Sequence, residues 1–211
     1  GTLKLDETAD TALLVDTLAI EHTGRLEIGT ETSPVRADKT AEIVFADDFI
    51  SNRALADPEE LSKGLLVAAG MGEAAGAWGG QLRMYGSDKV PFVTFREAHR
   101  AGSSRMTVNQ QPQGWRVGDE IAIAATRFVP LQQQSEHFRI RGISDNGDGT
   151  WDVALGTLSD AATAATMTFD HIPYRGPGGD QQAHVANLTR NIVLHSGPQG
   201  MDKAHVDQRG H

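Results

Sequence analysis

The hexapeptide Gly24-Arg25-Leu26-Glu27-Ile28-Gly29 shows the pattern that decides the fold class. Polar and apolar residues alternate over its four central positions, as they do in a β-strand with one buried face. Glycine at each end lets the backbone turn a sharp corner without a Cβ clash. Further short segments of this kind occur along the chain, at residues 13–20, 42–45, 64–68, 81–85, 92–95, 106–108, 120–124, 138–143, 151–155, 185–188 and 191–194. The sequence therefore predicts an all-β protein.

The strand lengths and corner glycines fit two architectures. One is a sandwich or barrel of hairpins, and the other is a β-solenoid, in which stacked coils enclose aliphatic side chains. Periodicity cannot separate the two, because no strict internal repeat is visible. At most one or two short helices are expected, at residues 52–61 and 161–165.

Composition excludes several classes of protein. The chain has no cysteine, so disulfide frameworks and thiolate metal sites are ruled out. No apolar run is long enough to span a membrane. The net charge is −9, and residues 1–62 hold 14 acidic against 5 basic side chains. Such an acidic region repels polyanions, so nucleic acid is not an expected partner.

Four segments in series resemble the G-eight domain family, which is named for its glycines. Residues 18–29 look like the family's opening strand, turn and second strand. Residues 115–124 (WRVGDEIAIA), followed by Glu136-His137-Phe138-Arg139-Ile140, are similar to its most specific stretch. The other two segments are 80–86 (GQLRMYG), in which Tyr85 replaces the usual histidine, and 185–193 (VANLTRNIV).

The resemblance implies a fold, a location and a set of partners. The expected fold is a right-handed parallel β-helix over residues 1–196, with residues 197–211 beginning further coils of a truncated chain. Relatives include fibrocystin and animal proteins that bind and degrade hyaluronan. The chain is accordingly interpreted as a bacterial member, extracellular or on the cell surface, whose partners are polysaccharide and further domains of the same polypeptide.

The segment Asp170-His171-Ile172-Pro173-Tyr174-Arg175 combines groups suited to acid–base chemistry. A carboxylate beside an imidazole can orient the ring and raise its basicity, and an arginine can hold a uronate carboxylate. Asp170, His171 and Arg190 are the candidate catalytic residues, and Tyr174 and Arg175 the candidate ligand contacts. The alternative is structural, with His171 packed under the turn at Pro173 and Arg175 solvated.

Two other places could bind ligands. Trp78 lies in a loop of small residues, where its ring could stack on a sugar. His205, Asp207 and His211 could hold a divalent cation, the one cofactor that the residues suggest, although a solvated terminus is the default interpretation of this cluster.

The function predicted from these features is carbohydrate binding or polysaccharide processing, with an acidic, hyaluronan-like glycan as ligand. If the chain is an enzyme, it is expected to be a polysaccharide hydrolase or lyase. The alternative is a non-catalytic structural or adhesive module of a larger surface protein.

Overall fold

A computed structural model describes residues 1–21, 23–46, 64–67, 79–127, 134–176 and 179–197. All regular structure in these ranges is β, and none of these residues is helical. The chain divides into two compact units, unit 1 (Gly1–Ser87 and Arg190–His211) and unit 2 (Asp88–Thr189). The strands are β1 (Thr2–Leu5), β2 (Thr11–Val15), β3 (Thr17–Ile20), β4 (Arg25–Ile28), β5 (Ala41–Phe45), β6 (Gly64–Val67), β7 (Gln81–Met84), β8 (Phe92–Thr94), β9 (Arg105–Val108), β10 (Glu120–Ile123), β11 (Glu136–Asp145), β12 (Trp151–Gly156), β13 (Tyr174–Gly176), β14 (Gly179–Gln181), β15 (His184–Asn187) and β16 (Ile192–Ser196).

Unit 1 is built from parallel strand pairs. Its sheets have the orders β1-β4-β7, β16-β5-β2 and β3-β6, so β1, β2 and β3 each pair with the strand three places later in the sequence. On β4, Leu26 and Ile28 are buried and pack with Val35 and Ile43 in one apolar cluster. The alternation read in the opening hexapeptide therefore does direct aliphatic side chains into a core.

Gly29 ends β4 in a conformation that its neighbours require. Its φ is +67°, in the left-handed region that side chains with a Cβ disfavour. A Cβ at this position would lie 2.9 Å from the backbone nitrogen of Val35 and 2.6 Å from the carbonyl oxygen of Tyr85. Those two atoms are hydrogen-bonded to each other, so glycine is needed for both the turn and the close approach.

Unit 2 contains a six-stranded antiparallel sheet of order β8-β15-β10-β11-β12-β9. The sheet curls until its two outer strands meet, because Phe95, just after β8, forms a bridge with Val108 of β9. Two backbone hydrogen bonds flank this bridge, from Arg96 N–H to the Thr107 carbonyl and from Asn109 N–H to the Thr94 carbonyl. Its concave side holds a second apolar cluster: Val93, Phe95, Met106, Val108, Trp115, Ile121, Ile123, Phe138, Ile140, Val153, Leu155, Met167, Ala183 and Val185.

The prediction of a right-handed parallel β-helix is wrong. In a solenoid, successive coils align their strands in parallel, whereas β8 to β12 and β15 pair antiparallel throughout. Glycine-cornered short strands serve hairpins as well as coils, so the local pattern did not distinguish them. The predicted helix at 161–165 is absent, since this segment is a turn with a bridge between Gly156 and Ala164. The other, at 52–61, lies outside the described residues.

Among the described residues, no helix has the length and apolar character that crossing a membrane requires.

Candidate functional site

His171 lies at the centre of a buried polar cluster in unit 2. Its side chain is fully buried, with Nε2 at 2.8 Å from Glu136 Oε2 and Nδ1 at 3.1 Å from the carbonyl oxygen of Ala124. Its backbone exchanges two hydrogen bonds with that of His99. The ring of Phe95 meets both imidazoles edge-on. The imidazole is therefore fixed on every side by unit 2 itself.

The hydrogen-bond partners of His171 define where protons must be. A carbonyl oxygen only accepts, so Nδ1 carries a proton toward Ala124, and a second proton must lie between Nε2 and Glu136. Burial opposes ionisation of Glu136, but hydrogen bonds from Thr168 N–H, His171 and Phe169 N–H outweigh it and hold the pKa of this carboxyl below its usual value. The cluster thus holds a carboxylate in direct hydrogen-bond contact with a buried imidazole, both inside the unit.

The second buried imidazole, His99, is neutral by the same kind of reasoning. Burial lowers the pKa of His99 below its ordinary value. This effect outweighs the backbone contact with Thr107 and the nearby carboxylates, which raise the pKa. Its Nε2 accepts a hydrogen bond from the Thr107 backbone N–H at 3.0 Å, which a protonated nitrogen could not do.

Asp170 is next to His171 in sequence, but its carboxylate contacts other groups. It accepts from the Ala101 backbone N–H and from Arg100, each at 3.0 Å, and these hydrogen bonds lower the pKa of Asp170. The carboxylate that meets the imidazole is that of Glu136, which had not been singled out as a site residue. Its signal was present in the quoted stretch Glu136-His137-Phe138-Arg139-Ile140, where it opens a strand with buried residues at alternate positions.

The other predicted site residues belong to different parts of the chain. Tyr174 is 53% exposed and lines an open cleft of about 490 Å³ in unit 2, together with Thr94, Ala124, Ala125, Thr126, Gln181, Gln182, Ala183 and His184. Arg175 lies on β13. Arg190 is exposed and belongs to unit 1, so the three candidate catalytic residues are divided between the units. Trp78, His205, Asp207 and His211 lie outside the described residues, and their predicted roles stay predictions.

Metal-binding groups are not evident in the part of the chain that is described, where no three His, Asp or Glu side chains are grouped as ligands for an ion.

A second buried cluster surrounds Asp119, within the segment 115–124. Its Oδ2 accepts from Lys89 Nζ at 2.7 Å, from Asn187 Nδ2 at 2.8 Å and from the Arg116 backbone N–H at 3.0 Å. All three side chains are buried: those of Lys89 and Asp119 are 8% and 7% exposed, and Asn187 is 2% exposed. Trp115 is also buried beside this cluster in sequence, and its indole N–H donates to the Val90 carbonyl.

Comparison with known proteins gives two findings. Residues 1–95 match the model of the G8 domain family. Over 195 residues, 92% of this chain, the sequence is 30% identical to fibrocystin-L of Homo sapiens, and it is 29% identical to fibrocystin-L of Mus musculus over the same length. The chain spans only 4% of the length of either relative. Both findings support the resemblance of this chain to the G-eight family, with the family model matching residues 1–95.

Proposed function

We propose that this chain is a non-catalytic structural or adhesive module of a larger extracellular or cell-surface protein. The observation that carries the proposal is the complete burial of His171, whose two ring nitrogens are both engaged inside unit 2. A general base must reach the substrate proton directly or through one water molecule. His171 cannot do so without opening of the unit.

The comparisons support the same role. Both fibrocystin-L relatives are far longer than this chain, which corresponds to 4% of each. A module of this size contributes a small part of such a protein, and further domains of the same polypeptide are its expected neighbours. An extracellular location, bacterial origin and kinship with hyaluronan-degrading proteins belong to this proposal as well.

A depolymerisation assay tests the non-catalytic role. The chain is incubated with hyaluronan and other acidic polysaccharides, with and without a divalent cation, and polymer size and new reducing or unsaturated ends are measured. We expect no change. The proposal would be refuted if the wild-type chain depolymerises a polysaccharide, Asp170→Asn does not, and Asp160→Asn still does. Asp160→Asn is the matched control, because this carboxylate only caps the turn at residues 160–163.

The second candidate function is glycan binding without cleavage, and the cleft beside Tyr174 favours it. An exposed aromatic ring, two glutamine amides and the Thr94 hydroxyl offer ring stacking and hydrogen bonds, the usual means of holding a sugar. Among the described residues that line the cleft, none has a carboxylate or guanidinium group. Binding there would therefore depend weakly on salt.

A glycan array followed by calorimetry tests this second candidate. Binding should be lost in Tyr174→Ala and retained in Tyr85→Ala, which removes a partly exposed tyrosine from unit 1 instead. If every glycan fails to bind the folded chain, or if Tyr174→Ala binds as tightly as the wild type, the cleft is not a glycan site.

A further inference from the structure

We propose that Lys89 and Asn187 form an intramolecular isopeptide bond, with Asp119 as the catalytic proton-transfer residue. The reaction forms an amide between Lys89 Nζ and Asn187 Cγ and releases the amide nitrogen of Asn187 as ammonium. The bond would form whatever role the module has in its parent protein.

The nucleophile and the leaving group contact the same atom. Lys89 Nζ and Asn187 Nδ2 lie 2.7 and 2.8 Å from Asp119 Oδ2, so the two nitrogens are no further apart than the sum of these contacts. Lysine is rarely buried, and a buried lysine amine is a common nucleophile once it loses its proton. Placing it beside an amide inside a folded core supplies the proximity that this reaction lacks in solution.

Strand pairing holds the reacting groups in this position. Lys89 precedes β8 and Asn187 ends β15, and these two strands are antiparallel neighbours. The Asn187 backbone N–H donates to the Pro91 carbonyl at 2.9 Å. On the other side of β15, β10 begins directly after Asp119 and pairs with it. The three side chains therefore come from the ends of three adjacent strands of one sheet.

The acyl group has a hydrogen-bond donor in place. Asn187 Oδ1 accepts from the Thr189 backbone N–H at 2.9 Å. When Lys89 attacks Cγ, negative charge develops on this oxygen, and a preorganised N–H stabilises it. Burial of the cluster excludes water, which would otherwise compete as a nucleophile and weaken these interactions.

The reaction balances without a further reagent. Asp119 takes one proton from the Lys89 ammonium, and the neutral amine adds to Asn187 Cγ. Asp119 then returns that proton to Nδ2, the Cγ–Nδ2 bond breaks, and the nitrogen leaves, together with the second proton given up by Nζ, as ammonium. Asp119 ends as the carboxylate it was at the start.

The location gives the bond a mechanical consequence. Unit 2 runs from Asp88 to Thr189, so residues 89 and 187 lie at its entry and exit. Tension applied along the polypeptide would pass through the new amide and leave the enclosed strands of unit 2 unloaded.

Intact-mass spectrometry of the denatured 211-residue chain tests the proposal. The wild-type protein, incubated in its folded state, should weigh one ammonia less than its sequence, and proteolysis should yield a branched peptide joining the segments that contain Lys89 and Asn187. Lys89→Arg and Asp119→Asn should each keep the full mass. Lys39→Arg is the matched control, because this lysine also faces a carboxylate but lies in unit 1, and it should still lose ammonia.

The Asn146-Gly147 turn needs a control, since an Asn-Gly pair can also lose ammonia by cyclising on its own backbone. The Asn146→Ser variant should retain the mass loss and the branched peptide. If the folded wild-type chain keeps its full mass, or if the loss disappears in Asn146→Ser and no branched peptide is found, the proposal is overturned. This outcome is read from the wild type and Asn146→Ser alone, so it does not depend on whether the Lys89 and Asp119 variants fold.

Discussion

Replacing Glu136 by glutamine should destabilise unit 2 by about 3–5 kcal/mol, because one buried donor loses its acceptor and two further hydrogen bonds weaken. The change preserves shape but puts an NH2 group where Oε2 accepts from the Phe169 backbone N–H at 3.1 Å. A buried N–H left without an acceptor costs about 1–3 kcal/mol. The hydrogen bonds that residue 136 makes with Thr168 and His171 should each weaken by roughly 1 kcal/mol, because the glutamine amide carries no charge.

Urea unfolding followed by tryptophan fluorescence measures this change. In a Trp78→Phe background the remaining tryptophans, Trp115 and Trp151, both report on unit 2. The matched control is Glu120→Gln, because Glu120 also faces a histidine, at 3.2 Å, but the two side chains are 36% and 46% exposed. A surface pair of this kind should contribute at most about 1 kcal/mol.

The difference between wild type and Glu136→Gln should also depend on pH. Because the pKa of Glu136 is lowered in the folded state, its stabilisation is present above the unfolded carboxyl pKa and is lost as the pH falls through the folded value. The gap should therefore narrow at acid pH. A variant within about 0.5 kcal/mol of wild type at neutral pH, or a gap that does not change with pH, would refute this account of the cluster.

Two further predictions concern single side chains. Since burial lowers the pKa of His99, its contribution to stability is complete above the unfolded histidine pKa and is lost as the pH falls through the folded value, so the urea midpoint of unit 2 should drop from pH 7 to pH 5. The dependence of the urea midpoint on pH should become weaker in His99→Gln but not in His137→Gln. An unchanged pH dependence in His99→Gln would contradict the lowered pKa of His99. In unit 1, Asn191→Ala removes hydrogen bonds to Ser87 N–H and to the carbonyls of Val35 and Arg36, and should cost about 3 kcal/mol at roughly 1 kcal/mol per bond. The loss should appear in the urea transition of unit 1 followed by circular dichroism, and a shift confined to the tryptophan signal of unit 2 would contradict it.

Local alternation located most of the strands, although β1, β13 and β14 were not predicted and residues 13–20 belong to two strands rather than one. The pattern at residues 25–28 does bury Leu26 and Ile28, and residues 120–123 do bury Ile121 and Ile123 on one face. Alternation reports which face of a strand is covered, and this depends on side chains a few residues apart. It carries no information about the direction of the neighbouring strand, so the antiparallel sheet of unit 2 was not foreseen.

Long-range pairing also explains what was missed at the candidate site. Asp170 was matched with His171 because the two are adjacent in sequence, but consecutive side chains on an extended chain point in opposite directions. The carboxylate that meets His171 comes from Glu136, 35 residues away. Lys89, Asp119 and Asn187 likewise come together only through the pairing of β8, β15 and β10. None of these partnerships has a short sequence signature.

The junction between Phe95 and Val108 has a consequence for solubility. An outer strand with unsatisfied N–H and C=O groups is a template for intermolecular aggregation, and many β-proteins guard such strands with charges or prolines. Along this junction the backbone N–H and C=O groups already form hydrogen bonds within the molecule. Next to the Phe92 ring, which is 47% exposed on β8, residues 94–96 are therefore closed to strand pairing with another molecule, and the Phe92 carbonyl accepts from the Gln110 side chain.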